Sequence, residues 1–194
     1  RIYGKGRGWA FSQKDFLDLG SRSAIDNSLS RLREKDVIRR VIRGLYDYPT
    51  FSELMNAELS PDLNQVAKAL ARKFGWRIQA SGSAAMNIIG LSTQVPAKVI
   101  YLSDGPSKSY KIGNITLAFQ KTTLKESGYK FPESSLIVQS LKSIGPNHLT
   151  EEIINKIRKW LKPELRSKIM KDTRSTSEWI YKAIREICRE YNNE

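Results

Sequence analysis

Apolar residues near the start of the chain change their spacing twice. Phe16, Leu17 and Leu19 crowd into one turn behind Ser12-Gln13-Lys14-Asp15, a compact capping signal: a hydroxyl for an orphan N–H and a carboxylate in the first turn. This predicts a short helix that buries all three and stops at Gly20. Ser23 to Asp26 repeats the signal, and Ile25, Leu29 and Leu32 then recur at helical spacing as the buried stripe of a second helix. The gap of about three residues is the turn length of a helix-turn-helix. After Lys35-Asp36, residues 37–42 read as a strand, Arg43-Gly44 as a turn and residues 45–48 as the returning strand, ended by Pro49. Helix, tight turn, helix, hairpin predicts a winged helix-turn-helix over residues 1–50.

Residues 51–60 read as a connector. Ser60-Pro61-Asp62 is a helix start, with a Ser cap and Pro in the first turn, and Leu63, Val66, Leu70 and Phe74 form the expected buried stripe. A strand over 76–79 and a helix over 81–89 follow, then strands at 97–102, 108–112 and 115–121, the last two joined by Gly113-Asn114 as a hairpin loop. From Pro132 onward the spacing is helical over 136–141, 151–160, 163–170 and 176–191, the last with Ile180, Ile184, Ile187 and Tyr191 as its stripe. The expected fold class is α+β. The winged helix-turn-helix precedes a larger mixed α+β domain over 61–194 that ends in several helices.

Charge narrows the partners. Among the 194 residues, 33 Lys+Arg against 20 Asp+Glu give a net charge of +13. The excess is spread evenly, +5 over residues 1–50, +4 over 51–124 and +4 over 125–194, so no basic tail carries it. A polyanion is the expected partner, nucleic acid ahead of an anionic membrane surface, and folding must assemble the surface that meets it. A generally basic soluble protein is the plainer alternative. No apolar run approaches the roughly 20 residues of a spanning helix, so no membrane partner is expected, and nothing in these residues hints at a targeting segment. The single cysteine, Cys188, excludes an internal disulfide and fits a reducing cytoplasm.

In a helix-turn-helix the second helix enters the major groove and reads bases with the side away from its core stripe. With Ile25, Leu29 and Leu32 inside, that side carries Ser23, Asn27, Ser30 and Arg31, with Arg22 at the helix mouth. Asn pairs bidentately with adenine and Arg with guanine, which makes Asn27 and Arg31 the base-reading candidates. Ser23, Ser30 and the helix N-terminal amides suit phosphates. The hairpin offers Arg39, Arg40 and Arg43. Arg39 and Arg40 face opposite sides of a strand, so at most one points at DNA, while Arg43 sits at the tip. Asp26, Glu34 and Asp36 must face away from the phosphates. Exposed Ser, Asn and Arg are also ordinary on any solvated helix, and winged helices serve protein contacts too.

Catalytic chemistry is not expected. His148, the only histidine, falls in a loop, and no Walker A loop, GxGxxG or HExxH is present. Ser81-Gly82-Ser83 resembles a nucleophile turn only loosely and reads as a helix cap. Carboxylates are too scattered to nominate a metal pair, and no cofactor is expected. Tyr46, Tyr48, Tyr101, Tyr110 and the four Trp residues suit core packing better than stacking on single strands. Lys156, Arg158, Lys159, Arg166 and Lys168 are expected on exposed faces of the late helices, as a solvated face, an extended DNA footprint or a partner surface.

Several runs carry a resemblance. GWAFSQKDFLDLG over 8–20, DNSLSRLR over 26–33, IRRVIRGLYDYP over 38–49, QASGSAA over 79–85, NIIGLSTQVPA over 87–97 and VIYLSDGPS over 99–107 resemble the AbiEi-type antitoxin family. The likeness covers most of residues 8–122 and fades after about residue 145. It implies a bacterial, type IV toxin–antitoxin regulator of abortive infection, with an N-terminal winged helix on operator DNA near its own promoter. Its C-terminal domain would counter a toxin of nucleotidyltransferase fold. The alternative is a protein-interaction or RNA-docking module that uses the winged helix as a scaffold. Neither pattern nor likeness specifies an oligomeric state.

Overall fold

The computed structural model describes residues 1–92, 94, 96–122 and 129–189. The fold is mixed α+β. A short helix, α1 (Ile2–Lys5), leads into β1 (Ala10–Phe11). Ser12 then donates its backbone N–H to Asp15 at 2.8 Å, as the capping signal requires, but what it starts is a single 3-10 turn over Gln13–Phe16. A turn that short has only one side against the core. Phe16 is therefore buried, whereas Leu17 and Leu19, expected inside, are 53% and 62% exposed.

Helix α2 (Arg22–Glu34) is capped by Ser21, whose Oγ accepts from the Ala24 N–H, so Ser23 lies within the first turn instead of capping it. Ile25 and Leu29 are buried against Phe11, Phe16 and Ile38, and Leu32 is half-buried. The chain leaves α2 through Asp36, at φ 52°, and enters β2 (Arg39–Ile42), two residues later than the pattern suggests. The two-residue turn Arg43-Gly44 needs a left-handed residue, which Gly44 supplies at φ 73°. Then β3 (Leu45–Asp47) returns, and the sheet order is β1-β3-β2, all antiparallel.

The expected connector is a second small hairpin, β4 (Phe51–Ser52) with β5 (Ala57–Glu58). Helix α3 (Leu63–Phe74) begins at Asp62 rather than Ser60, because the Asp62 carboxylate accepts from the N–H groups of both Asn64 and Gln65. Val66 and Leu70 are buried as expected; Leu63 is half-buried and Phe74 is 40% exposed. Then come β6 (Ile78–Ala80), α4 (Gly82–Ile89), β7 (Lys98–Ser103), β8 (Lys108–Ile112) and β9 (Ile115–Lys121). Their sheet runs β6-β7-β9-β8, with β7 and β9 parallel and the other pairs antiparallel. One face of α3 packs on β1 and β3, and Ala10 and Leu45 share a core with Val66, Leu70, Leu117 and Phe119. Arg72 of α3 ties the same joint, bonding the Ala10 carbonyl at 2.8 Å and Asp15 at 2.6 Å. The apolar core thus runs straight across residues 51–60.

Four helices finish the described chain: α5 (Pro132–Ile144), α6 (Glu151–Trp160), α7 (Arg166–Asp172) and α8 (Glu178–Cys188). Ile137, Leu141, Ile157, Leu161, Ile169, Ile180, Ile184 and Ile187 make their core; Tyr191 lies outside the described residues. Arg158 and Arg166, expected on exposed faces, are half-buried, and Arg158 bonds the carbonyls of Glu186 and Ile187 at the end of α8. Lys156, Lys159 and Lys168 are exposed. Among the described residues no helix is long and apolar enough to cross a membrane.

Asp172 closes the helical layer by accepting the N–H groups of Lys130 (3.0 Å) and Phe131 (3.1 Å) where α5 begins. Burial opposes its ionised form, but these hydrogen bonds and the Lys130 charge prevail and hold its carboxyl below the ordinary value. A lowered folded-state pKa adds stability above the unfolded value, and that contribution is lost as pH falls through the folded one, that is, below about pH 4. Asp172→Ala is therefore expected to lower the urea midpoint more at about pH 7 than at about pH 3. An equal loss at both would contradict the assignment.

Candidate nucleic-acid interface

Ile25 and Leu29 fix the inner side of α2. At about 100° per residue, positions two away from either lie opposite, which selects 23, 27 and 31. Ser23, Asn27 and Arg31 are all exposed and form one ridge at four-residue spacing. No side-chain partner holds any of them among the described residues. Arg22 is exposed beside them. Ser30 departs from the expectation: it is half-buried on the flank of the ridge, and its hydroxyl lies 3.2 Å from Glu34.

The hairpin separates its three arginines. Arg39 is turned inward, with its guanidinium 2.6 and 3.1 Å from the buried carboxylate of Asp47, 3.3 Å from Glu58 and 3.0 Å from the Leu59 carbonyl. It ties the β2–β3 hairpin to β5, so it is not free to reach DNA. Arg40 alternates to the opposite, exposed side, and Arg43 is exposed at the turn. Strand alternation puts Arg39 and Arg40 on opposite sides without deciding which faces outward. The partner that decides it, Asp47, lies eight residues away across the hairpin.

Arg22 and Arg43 meet across a cleft of about 540 Å³ between α2, the β2–β3 turn, α3 and β8. It also holds Lys14, Lys73 and Lys108, three cations that no sequence motif marks. They come from a 3-10 turn, a helix end and a strand, and no linear pattern joins them. Lys73 donates to the Gly44 carbonyl at 3.2 Å. Partial burial, and then the charges of Lys108 and Lys14, push its ammonium below the ordinary lysine value. Among the described residues Asp26, in the second turn of α2, is the one carboxylate lining the cleft. Its charge reduces the local field without cancelling five cations.

The aromatic residues considered as stacking platforms pack mostly inward. Tyr101 is buried and bonds Asn64 at 3.0 Å, Trp76 stacks on Phe74 at 4.7 Å, and Tyr46 lies 6.2 Å from Phe11. His148 is exposed in the turn Pro146–His148, and Ser81 and Ser83 face each other at 3.3 Å at the start of α4. Among the described residues no group of three or more His, Cys, Asp or Glu could hold a metal ion.

A family model described as a family of unknown function, DUF6088, matches residues 1–169. That span takes in the α2 ridge, the β2–β3 hairpin, the cleft and most of the helical layer. No curated protein matches the chain.

Proposed function

The chain belongs to the DUF6088 family, and we propose that this member is a sequence-specific DNA-binding regulator whose first fifty residues act as a winged helix-turn-helix. The observation that carries the reading is the ridge of Ser23, Asn27 and Arg31, exposed opposite the buried side of α2 and without side-chain partners among the described residues, with Arg43 exposed at the hairpin turn across the cleft from Arg22. Asn27 and Arg31 read base edges in the major groove. Arg22, Ser23 and the first amides of α2 take phosphates, and Arg43 reaches the backbone or minor groove. Arg40 is the second hairpin contact. Ser30 assists only if it leaves Glu34, and Arg39 serves the fold. The resemblance to AbiEi-type antitoxins extends the proposal: the DNA is an operator near the protein's own promoter, and the second domain opposes a toxin of nucleotidyltransferase fold.

Asn27→Ala and Arg31→Ala are each expected to cost ~1–3 kcal/mol on the preferred site and to relax specificity at one base pair. Arg43→Ala is expected to weaken binding to all sequences and to reduce the salt slope by about 1. Titration of preferred and random duplexes checks both. Equal losses on the two duplexes for Asn27→Ala and Arg31→Ala would remove α2 from the base-reading role.

One observation favours a second reading, in which the N-terminal unit is a scaffold for a protein partner. The tip of the β4–β5 hairpin exposes Leu54 at 97% and Met55 at 68%, with Phe51 at 47% beside them, apolar surface of the kind that protein interfaces cover. On that reading Leu54→Ser would weaken partner capture, while the α2 variants would leave DNA binding unchanged.

A further inference from the structure

The cleft between α2, the β2–β3 turn, α3 and β8 is more than a gap between basic residues. Its size, about 540 Å³, falls within the range of small-molecule sites. Among the described residues Lys14, Arg22, Arg43, Lys73 and Lys108 bring five positive charges to it against Asp26 alone. Partial burial lowers the Lys73 ammonium first, and the charges of Lys108 and Lys14 add the repulsion expected of like charges gathered on one concave surface. A phosphoryl group placed among them would relieve it and accept charge-assisted hydrogen bonds.

Apart from Ser12 and Gln13, the remaining wall is mostly apolar. Phe74 and Leu17, 40% and 53% exposed, both border the cleft, and the Lys73 and Lys108 ammonium groups lie 5.6 and 5.5 Å from the centre of the Phe74 ring. These are two of the residues that the helical pattern places in the core and the fold leaves facing the cleft. Tyr110 lines it as well, and its hydroxyl is shielded from solvent with no hydrogen-bond partner among the described residues. A bare inorganic anion would engage the cations and leave the aromatic and aliphatic wall uncovered. A ligand with a flat ring beside its phosphates uses both.

We propose that this cleft is a nucleotide-binding site, with the phosphates among Lys14, Arg43, Lys73 and Lys108 and the base against Phe74 and Leu17. Two of its walls belong to the N-terminal unit and two to α3 and β8, so a bound nucleotide bridges the two parts of the chain. The cleft shares Arg22 and Arg43 with the DNA surface proposed above, but the proposal does not require that reading, and its test contains no DNA.

Isothermal titration of the full chain with ATP, GTP, UTP, sodium tripolyphosphate and adenosine separates the contributions. At least one nucleoside triphosphate is expected to bind at a single saturable site, ~10-fold or more tighter than tripolyphosphate, with adenosine weaker still. Lys108→Glu and Arg43→Glu are each expected to weaken the nucleotide ~10-fold or more, while Lys156→Glu, on a distant helix face, leaves it unchanged. Three results would overturn the proposal: no binding of any of the three nucleotides, tripolyphosphate binding as tightly as the nucleotides, or full affinity in both cleft variants.

Discussion

Arg39→Ala is expected to lower the stability of the protein by about 2–3 kcal/mol, a shift in Tm of several degrees for a chain of this length. The argument begins with Asp47, which is 1% exposed and whose carboxylate has its cation in the Arg39 guanidinium at 2.6 and 3.1 Å. Removing the cation leaves a carboxylate enclosed by β1, β2 and β3 without its partner, and desolvation of an unpaired charge outweighs the packing lost with the arginine stem. Arg39 is itself 28% exposed, which places the cost at the low end for breaking a buried pair. The same truncation frees Glu58 and the Leu59 carbonyl, so the β4–β5 hairpin loosens as well. Urea unfolding of the variant checks this. Unchanged stability together with loss of DNA affinity would return Arg39 to the DNA surface.

Gly82→Ala sets two effects of opposite sign against each other. By helix propensity, Ala at the first position of α4 is better than Gly by up to about 1 kcal/mol. A Cβ there, however, would stand 2.5 Å from Ser143 Cβ and 3.1 Å from the Gln139 carbonyl oxygen, both on α5. Neither atom is the end of a flexible side chain, so the two helices must separate, at a cost of about 1–3 kcal/mol for overpacking. Net destabilisation of up to about 2 kcal/mol is expected. The double variant Gly82→Ala, Ser143→Gly removes the nearest obstacle and is expected to regain most of the loss. A single variant as stable as wild type would mean that α4 and α5 are not in this close contact.

These two positions also mark where the sequence is informative and where it is not. Most element types were legible because local chemistry sets them: Gly90 ends α4, Gly113-Asn114 turns β8 into β9, and β8, β9 and α6 begin and end where the pattern puts them, whereas the turn at Gln13–Phe16 and the β4–β5 hairpin depart from the helix and connector expected there. Starts were read less well where two capping residues compete. Ser21 takes the place of Ser23, and Asp62 that of Ser60, because the residue whose oxygen reaches the free N–H groups is decided by backbone geometry. Burial of Leu17, Leu19 and Phe74 was misread for a different reason. Periodicity assigns a face to an element but not how far the neighbouring element extends to cover it, and here a 3-10 turn and a helix end outrun their cover.

The candidate interface divides along the same line. Ser23, Asn27 and Arg31 were legible because a helix with a known inner stripe fixes its outer ridge. The inward turn of Arg39 was not, since it depends on Asp47 across the hairpin and on the β4–β5 hairpin, nor was the convergence of Lys14, Lys73 and Lys108, which depends on the packing of α3 against the N-terminal sheet.

The most direct test of the DNA-binding claim is fluorescence anisotropy of the full chain at ~150 mM salt, comparing a duplex from upstream of the protein's own gene with a scrambled duplex of the same composition. The account predicts a preference of roughly 10³-fold or more for the upstream duplex, with log K falling steeply against log salt. Equal, weak binding to both would contradict it, and would move the role of the N-terminal unit to the protein contacts suggested by the exposed β4–β5 tip.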